Sequence, residues 1–178
     1  MKILGIICSP RKGGNTDILV DHILKGSKAK GHTNEKLYLY NYKIRPCIDC
    51  RNCKKGDHVC TIKDGMQQIY PRIMEAGLII FGTPIYYYGP TGQMKLLFDR
   101  MRPYGASGKL KGKKGVIVAP SAEGAKCCGP LIKMFRMSFD YLGIEFAGKV
   151  LGTAYEKGEI EHDKKELKKA YDLGVSLK

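Results

Sequence analysis

The opening stretch, Met1 to Thr16, restricts the possible folds more than any other part of the chain. It starts with a short apolar run rich in isoleucine, which reads as a strand buried on both faces. Ser9, Pro10, Gly13 and Gly14 then break the run into a loop. Asn15 and Thr16 follow, and Ile18, Leu19 and Ile23 fall at helical spacing. Strand, glycine-rich loop and helix in that order set unpaired backbone N–H groups and a positive dipole end at the loop. With hydroxyls, an amide and Arg11 beside them, the loop is a candidate phosphate site.

Two common phosphate motifs fail on spelling. The nucleoside triphosphate loop needs Gly-Lys followed by Ser or Thr, which is missing here. The dinucleotide fingerprint needs Gly-x-Gly-x-x-Gly and an acidic residue after the second strand, where this chain has Tyr40-Asn41. A single terminal phosphate on Ser9, Arg11, Asn15 and Thr16 fits better, which is the flavodoxin-like manner of holding FMN. A ligand-free turn capped by Asn15 is the alternative.

A chain of 178 residues suits one domain with a substantial core. No apolar run is long enough to span a membrane, and no signal peptide precedes the first strand, so a soluble cytoplasmic protein is expected. The formal net charge is +14, with a denser basic stretch from Arg100 to Lys114. No nucleic-acid-binding signature accompanies it. Solvated surface is the first reading of that charge, and an acidic electron-transfer partner the second.

Further along, helix one is expected over Thr16 to Lys30, closed by Gly31. Glu35 to Tyr40 alternates as strand two. Asp64 reads as the cap of a helix with Met66, Ile69 and Ile73 inward, and Pro71 either kinks that helix or restarts it. Leu78 to Phe81, Val116 to Ala119 and Ile144 to Leu151 read as strands three to five. Met94, Leu97, Phe98 and Met101 mark a helix between strands three and four, and Leu131 to Leu142 mark one between strands four and five. Asp163 and Glu166 start a last helix with Leu167, Ala170, Tyr171 and Gly174 inward. Alternating strands and helices imply an α/β three-layer fold with a five-stranded parallel sheet. The expected order is 2-1-3-4-5, in one domain carrying a cysteine-rich insertion at about residues 44–63.

In that order, ligand loops gather at the carboxyl ends of strands one, three and four. These are the three loops of unusual composition. The second, Gly82 to Thr91, carries Tyr86, Tyr87 and Tyr88, flat partners for a planar amphipathic ring, with Tyr86 set at the ring and at least one tyrosine turned away. The third, Ser121 to Gly124 with Glu123 among them, offers further N–H donors near the ring. The bland alternative packs the tyrosines under their own loop.

Four of the seven cysteines, Cys47, Cys50, Cys53 and Cys60, are separated by two, two and six residues. Three thiolates at that spacing can wrap one face of a small inorganic cube, and the fourth closes it. One [4Fe–4S] cluster on all four is the simple reading. A zinc site, four free thiols and an oxidised pair are its rivals. Cys8 reads as core, and His58 as exposed rather than a ligand.

Taken together, Ser9-Pro-Arg-Lys-Gly-Gly-Asn-Thr16, the four-cysteine run, Asp64-Gly-Met66, Gly82-Thr-Pro-Ile-Tyr86 and Gln93-Met-Lys-Leu-Leu-Phe-Asp-Arg100 resemble the iron–sulfur flavoproteins. These lie within the wider NAD(P)H-dependent FMN reductase group of flavodoxin-like proteins. The resemblance implies FMN held by Ser9, Arg11, Asn15 and Thr16 and by the loop of Thr83, Pro84, Ile85, Tyr86 and Tyr88. It implies a 4Fe-4S cluster on Cys47, Cys50, Cys53 and Cys60, and a homodimer or tetramer. Ferredoxin or NAD(P)H is the expected electron donor. The cofactors would do the chemistry, with no side-chain acid or nucleophile. A flavin reductase without a cluster and a non-enzymatic metal-binding or redox-sensing module are the alternatives.

Overall fold

A computed structural model describes residues 1–178. Five strands, β1 (Lys2–Ile7), β2 (Thr33–Tyr38), β3 (Leu78–Gly82), β4 (Lys114–Val118) and β5 (Glu145–Val150), form one sheet of order β2-β1-β3-β4-β5. Every pairing is parallel. This is the order expected from the sequence. Alternate residues of the central strands enter two separate cores. Leu4, Ile6, Ile79, Phe81 and Ile117 pack on one face of the sheet, and Ile3, Ile7, Leu78, Ile80 and Val116 on the other. Burial on both faces explains why these strands are continuous apolar runs rather than alternating ones.

Six helices cover the sheet: α1 (Asn15–Ala29), α2 (Met66–Glu75), α3 (Gly92–Arg100), α4 (Arg102–Ser107), α5 (Gly129–Leu142) and α6 (Lys164–Ser176). Helices α1 and α6 lie on one face, and α2, α3 and α5 on the other. Helices α1 and α6 approach at glycines. A Cβ on Gly174 would stand 2.0 Å from the Ile23 carbonyl oxygen, and one on Gly26 2.1 Å from that of Tyr171. Tyr171 itself is exposed, not inward as its spacing predicts. The near-contact of the two backbones leaves a ring no room between them.

Other differences are local. Strand β2 stops at Tyr38, and Leu39–Asn41 turn as a short 3-10 segment. Helix α2 runs through Pro71 without restarting, although Pro71 lacks the N–H that would reach the preceding turn. Helix α4 has no counterpart in the sequence reading, because Pro103 and Gly105 are weak helix formers. The basic stretch from Arg100 is not simply solvated surface. Arg100 is 1% exposed, and Lys113 Nζ donates to the carbonyls of Met74 (2.7 Å) and Ala76 (2.6 Å).

Candidate functional site

The loops after β1, β3, β4 and β5 enclose a cavity of about 210 Å³. Its lining includes Ser9, Arg11, Asn15 and Thr16 from the first loop, Pro84, Ile85 and Tyr86 from the second, and Ser121 from the third. Eight residues singled out from sequence therefore meet in one place. Thr83, Tyr88, Glu123 and Gly124 do not line it. Thr83 is fully buried beneath the second loop, where its Oγ1 accepts from Thr91 N (3.1 Å) and donates to the Pro84 carbonyl (2.9 Å). Gly124 is buried with φ 62°, and Glu123 faces solvent. Ala154 and Tyr155 line the cavity from beyond β5 and were missed. An aromatic within the polar segment after β5 was the only available signal.

The first loop ends at α1, whose N-terminal N–H groups receive no side-chain cap. These orphan donors and the dipole end make a ready anion site. Asp17 fixes the loop from within the helix. Its Oδ2 accepts from Gly13 N (2.8 Å) and from the Tyr38 hydroxyl (2.8 Å), and its Oδ1 lies 2.8 Å from Lys36 Nζ. Arg11 donates to the Tyr155 carbonyl (3.2 Å) and Asn15 Nδ2 to that of Glu156 (2.8 Å), which ties the segment after β5 to the cavity. Beneath, Thr91 joins loop and helix: its Oγ1 lies 2.9 Å from Cys8 Sγ and caps α3 through Met94 N (3.3 Å). Cys8 is accordingly core.

At the tip of the second loop, Tyr86 N donates to Gly89 O (2.9 Å) and Gly89 N returns the bond to Tyr86 O (3.0 Å). Tyr87 and Tyr88 between them have φ 48° and 63°. Two consecutive positive φ values suit a tight primed turn, a conformation that normally selects Asn or Gly. Tyr87 is completely exposed, while the sequence left open which of Tyr87 and Tyr88 turns away.

This site fits FMN. The phosphate would meet the uncapped N-terminus of α1 with Ser9, Arg11, Asn15 and Thr16. The ring would lie between Pro84–Tyr86 and the third loop, where Ser121 Oγ is fixed by donating to the Gly124 carbonyl (2.9 Å).

The four cysteines occupy a second loop system. Its two ends are drawn together at a neck. Arg45 N donates to Asp64 Oδ2 (2.8 Å), Gly65 N to the Lys43 carbonyl (2.9 Å) and Gln67 Nε2 to the Ile62 carbonyl (3.0 Å). Within the loop Cys53 is buried, Cys47 and Cys60 half-buried and Cys50 exposed. Burial raises the Cys53 thiol above its usual range, the Arg102 guanidinium opposes the rise, and the sulfurs of Cys60, Cys47 and Cys50 add to it. No group of three or more His, Cys, Asp or Glu converges on a single ion. A cubane asks for a wider set, because each thiolate takes a different iron. Four cysteines on one closed loop are the donor set that a [4Fe–4S] cluster would take. His58 is half-buried rather than exposed, and its Nδ1 lies 3.1 Å from the Cys53 carbonyl.

The NADPH-dependent FMN reductase family matches residues 1–155. An iron-sulfur flavoprotein of Archaeoglobus fulgidus is 34% identical over 181 residues, covering 99% of this chain and 79% of its own. A Bacillus subtilis protein, provisionally named an NAD(P)H-dependent FMN-containing oxidoreductase, is 33% identical over 181 residues, 97% of this chain and 96% of its own. Among solved structures, the Trp repressor binding protein of Bacillus subtilis superposes with a TM-score of 0.74 at 28% identity over 99% of both chains. An NAD(P)H:quinone oxidoreductase from Methanothermobacter marburgensis shares the fold, with a TM-score of 0.81 at 17% identity over 100% of this chain and 96% of that one.

Proposed function

This chain belongs to the NADPH-dependent FMN reductase family and is an FMN-dependent oxidoreductase, and on that premise we propose that it passes electrons between a [4Fe–4S] cluster on Cys47, Cys50, Cys53 and Cys60 and FMN in the cavity at Ser9–Thr16, and from there to an acceptor. The observation that carries this reading is the neck. By pairing residues 43–45 with 62–65 it brings the first and last cysteines of the run to the same end of the loop.

When bound, the two cofactors supply one-electron exchange at the iron and two-electron capacity at the flavin. The protein's own residues bind and orient. Arg11 and the N-terminus of α1 neutralise the phosphate, while Asp17 holds the Gly13 amide and keeps the loop in shape. Pro84, Ile85 and Tyr86, which line the cavity, would cover one side of the ring and exclude water there. The Ser121 N–H is taken by the Gly152 carbonyl (3.0 Å), so Ala122 would be the residue of this wall to offer a backbone N–H, which would stabilise negative charge on a reduced ring. The basic surface suits an acidic electron donor such as ferredoxin, with NAD(P)H as the other donor and a homodimer or tetramer as the assembly.

A second reading, an NAD(P)H-dependent flavin or quinone reductase without iron, draws support from the name of the Bacillus subtilis relative. Analysis of anaerobically purified protein separates the two. The proposal expects one FMN with about four irons and four sulfides per chain, and an electron paramagnetic resonance signal after reduction. FMN without iron selects the second reading, and neither cofactor overturns both.

A further inference from the structure

Two arginines flank Met101 at the junction of α3 and α4, and both reach into the cysteine loop. Arg100 is fully buried and makes four hydrogen bonds at the neck. Its Nη1 donates to Asp64 Oδ2 (2.6 Å) and to the Arg45 carbonyl (2.8 Å), and its Nη2 to Asp64 Oδ1 (3.2 Å) and to the Ile62 carbonyl (3.3 Å). Arg45 stands two residues before Cys47, and Ile62 two residues after Cys60. One guanidinium therefore bridges the entry and the exit of the run. Arg102 works inside the loop. Its Nη1 approaches Cys47 Sγ at 4.0 Å and also donates to Asp49 Oδ1. Asp49 and Arg51, on either side of Cys50, have φ 50° and 62°, so the backbone around that cysteine is held in a conformation that non-glycine residues avoid. An anchor on Asp49 accounts for its persistence.

We propose that Arg100 and Arg102 are positioning residues of the four-cysteine loop: Arg100 locks its neck, and Arg102 fixes the Cys47–Asp49 segment while placing a positive charge beside the sulfurs. This rests on the reading of the run as a cluster site. Lysine replaces neither residue fully, because only the planar fork spans two carbonyls and a carboxylate at once. A cation beside the sulfurs favours the more negative, reduced state, so its removal lowers the reduction potential. Loss of Arg102 also leaves Asp49 with only the longer contact to Arg51 (3.4 Å), which acts in the same direction.

The test uses the full chain. In protein reconstituted anaerobically with iron and sulfide, Arg102→Gln is expected to keep its iron and shift the cluster midpoint to a more negative value, with Arg102→Lys shifting it less. A purely structural role would lower the iron content and leave the midpoint of the remaining clusters in place. An unshifted midpoint in Arg102→Gln overturns the charge assignment. The neck is tested without iron. Metal-free Arg100→Lys should be cut by trypsin at the exposed Arg51, Lys54 and Lys55 severalfold faster than metal-free wild type, with the rest of the chain resistant. Equal rates overturn the lock. If the wild-type chain takes up no iron and sulfide, the cluster reading and the claim on potential fall together, and the proteolysis still decides the lock.

Discussion

Lys36 Nζ on β2 lies 2.8 Å from Oδ1 of Asp17 on α1, and the same carboxylate receives the Gly13 amide of the phosphate loop at 2.8 Å. The edge strand thereby stabilises the loop through one buried side chain. Burial alone would raise the Asp17 carboxyl, but the Lys36 ammonium, the Gly13 N–H and the Tyr38 hydroxyl outweigh it and hold it below the usual carboxylate range. A depressed value contributes stability that is complete above the unfolded value of about 4 and is lost as pH falls through the folded one. Asp17→Asn should cost about 1–3 kcal/mol at neutral pH. Urea midpoints should show a difference from wild type that is constant between about pH 6 and 8 and shrinks below about pH 4.

Arg11 separates phosphate binding from ring binding. Arg11→Gln removes a charge-assisted contact of about 1.5–3 kcal/mol, roughly a 10- to 100-fold loss of FMN affinity. Riboflavin, which has no phosphate, should lose far less affinity, because Asn15 still holds the Tyr155 segment at the cavity. Fluorescence titrations with both flavins check this, and an equal loss for both would move the phosphate elsewhere.

The closeness of α1 and α6 gives a stability prediction far from any cofactor. A methyl at Gly174 meets backbone on both sides, the Ile23 carbonyl at 2.0 Å and Ser27 N at 2.9 Å. No rotamer relieves such a clash, so the helices must separate. Gly174→Ala should destabilise by at least the 1–3 kcal/mol usual for overpacking, about that much or more, read as a lower urea midpoint.

The seven thiols should differ in reactivity in metal-free native protein. Burial pushes Cys8 up to about 12 and Cys128 up to about 11. Cys50 is exposed, and the Asn52 amide and the Thr61 hydroxyl hold its thiol below the usual range. Mass spectrometry after brief iodoacetamide treatment at pH 7.5 should find Cys50 labelled first, with Cys8 and Cys128 unlabelled until the chain is unfolded.

The sheet order and the three loops that meet at the cavity were legible because both depend on local pattern: continuous apolar runs, glycine-rich breaks and their order along the chain. Ser9 to Thr16 needed only their neighbours to be read. What stayed hidden depends on distant partners. Arg100 belongs to a run of basic residues that resembles solvated surface, and only Asp64, Arg45 and Ile62, brought to it by the fold, reveal a buried clamp. Tyr155 lies after the last strand in a polar segment, and it reaches the cavity because the Arg11 and Asn15 side chains hold that segment there. Tyr171 has helical spacing that points inward, yet the close approach of two glycine-bearing helices turns it out.

The most direct test is a titration of flavin-free protein with FMN, followed by quenching of flavin fluorescence. A sharp break at one FMN per chain is the predicted result, lost to a large degree in Arg11→Gln. Fluorescence that stays that of free flavin throughout would contradict the assignment of the cavity, whatever the cysteine loop holds.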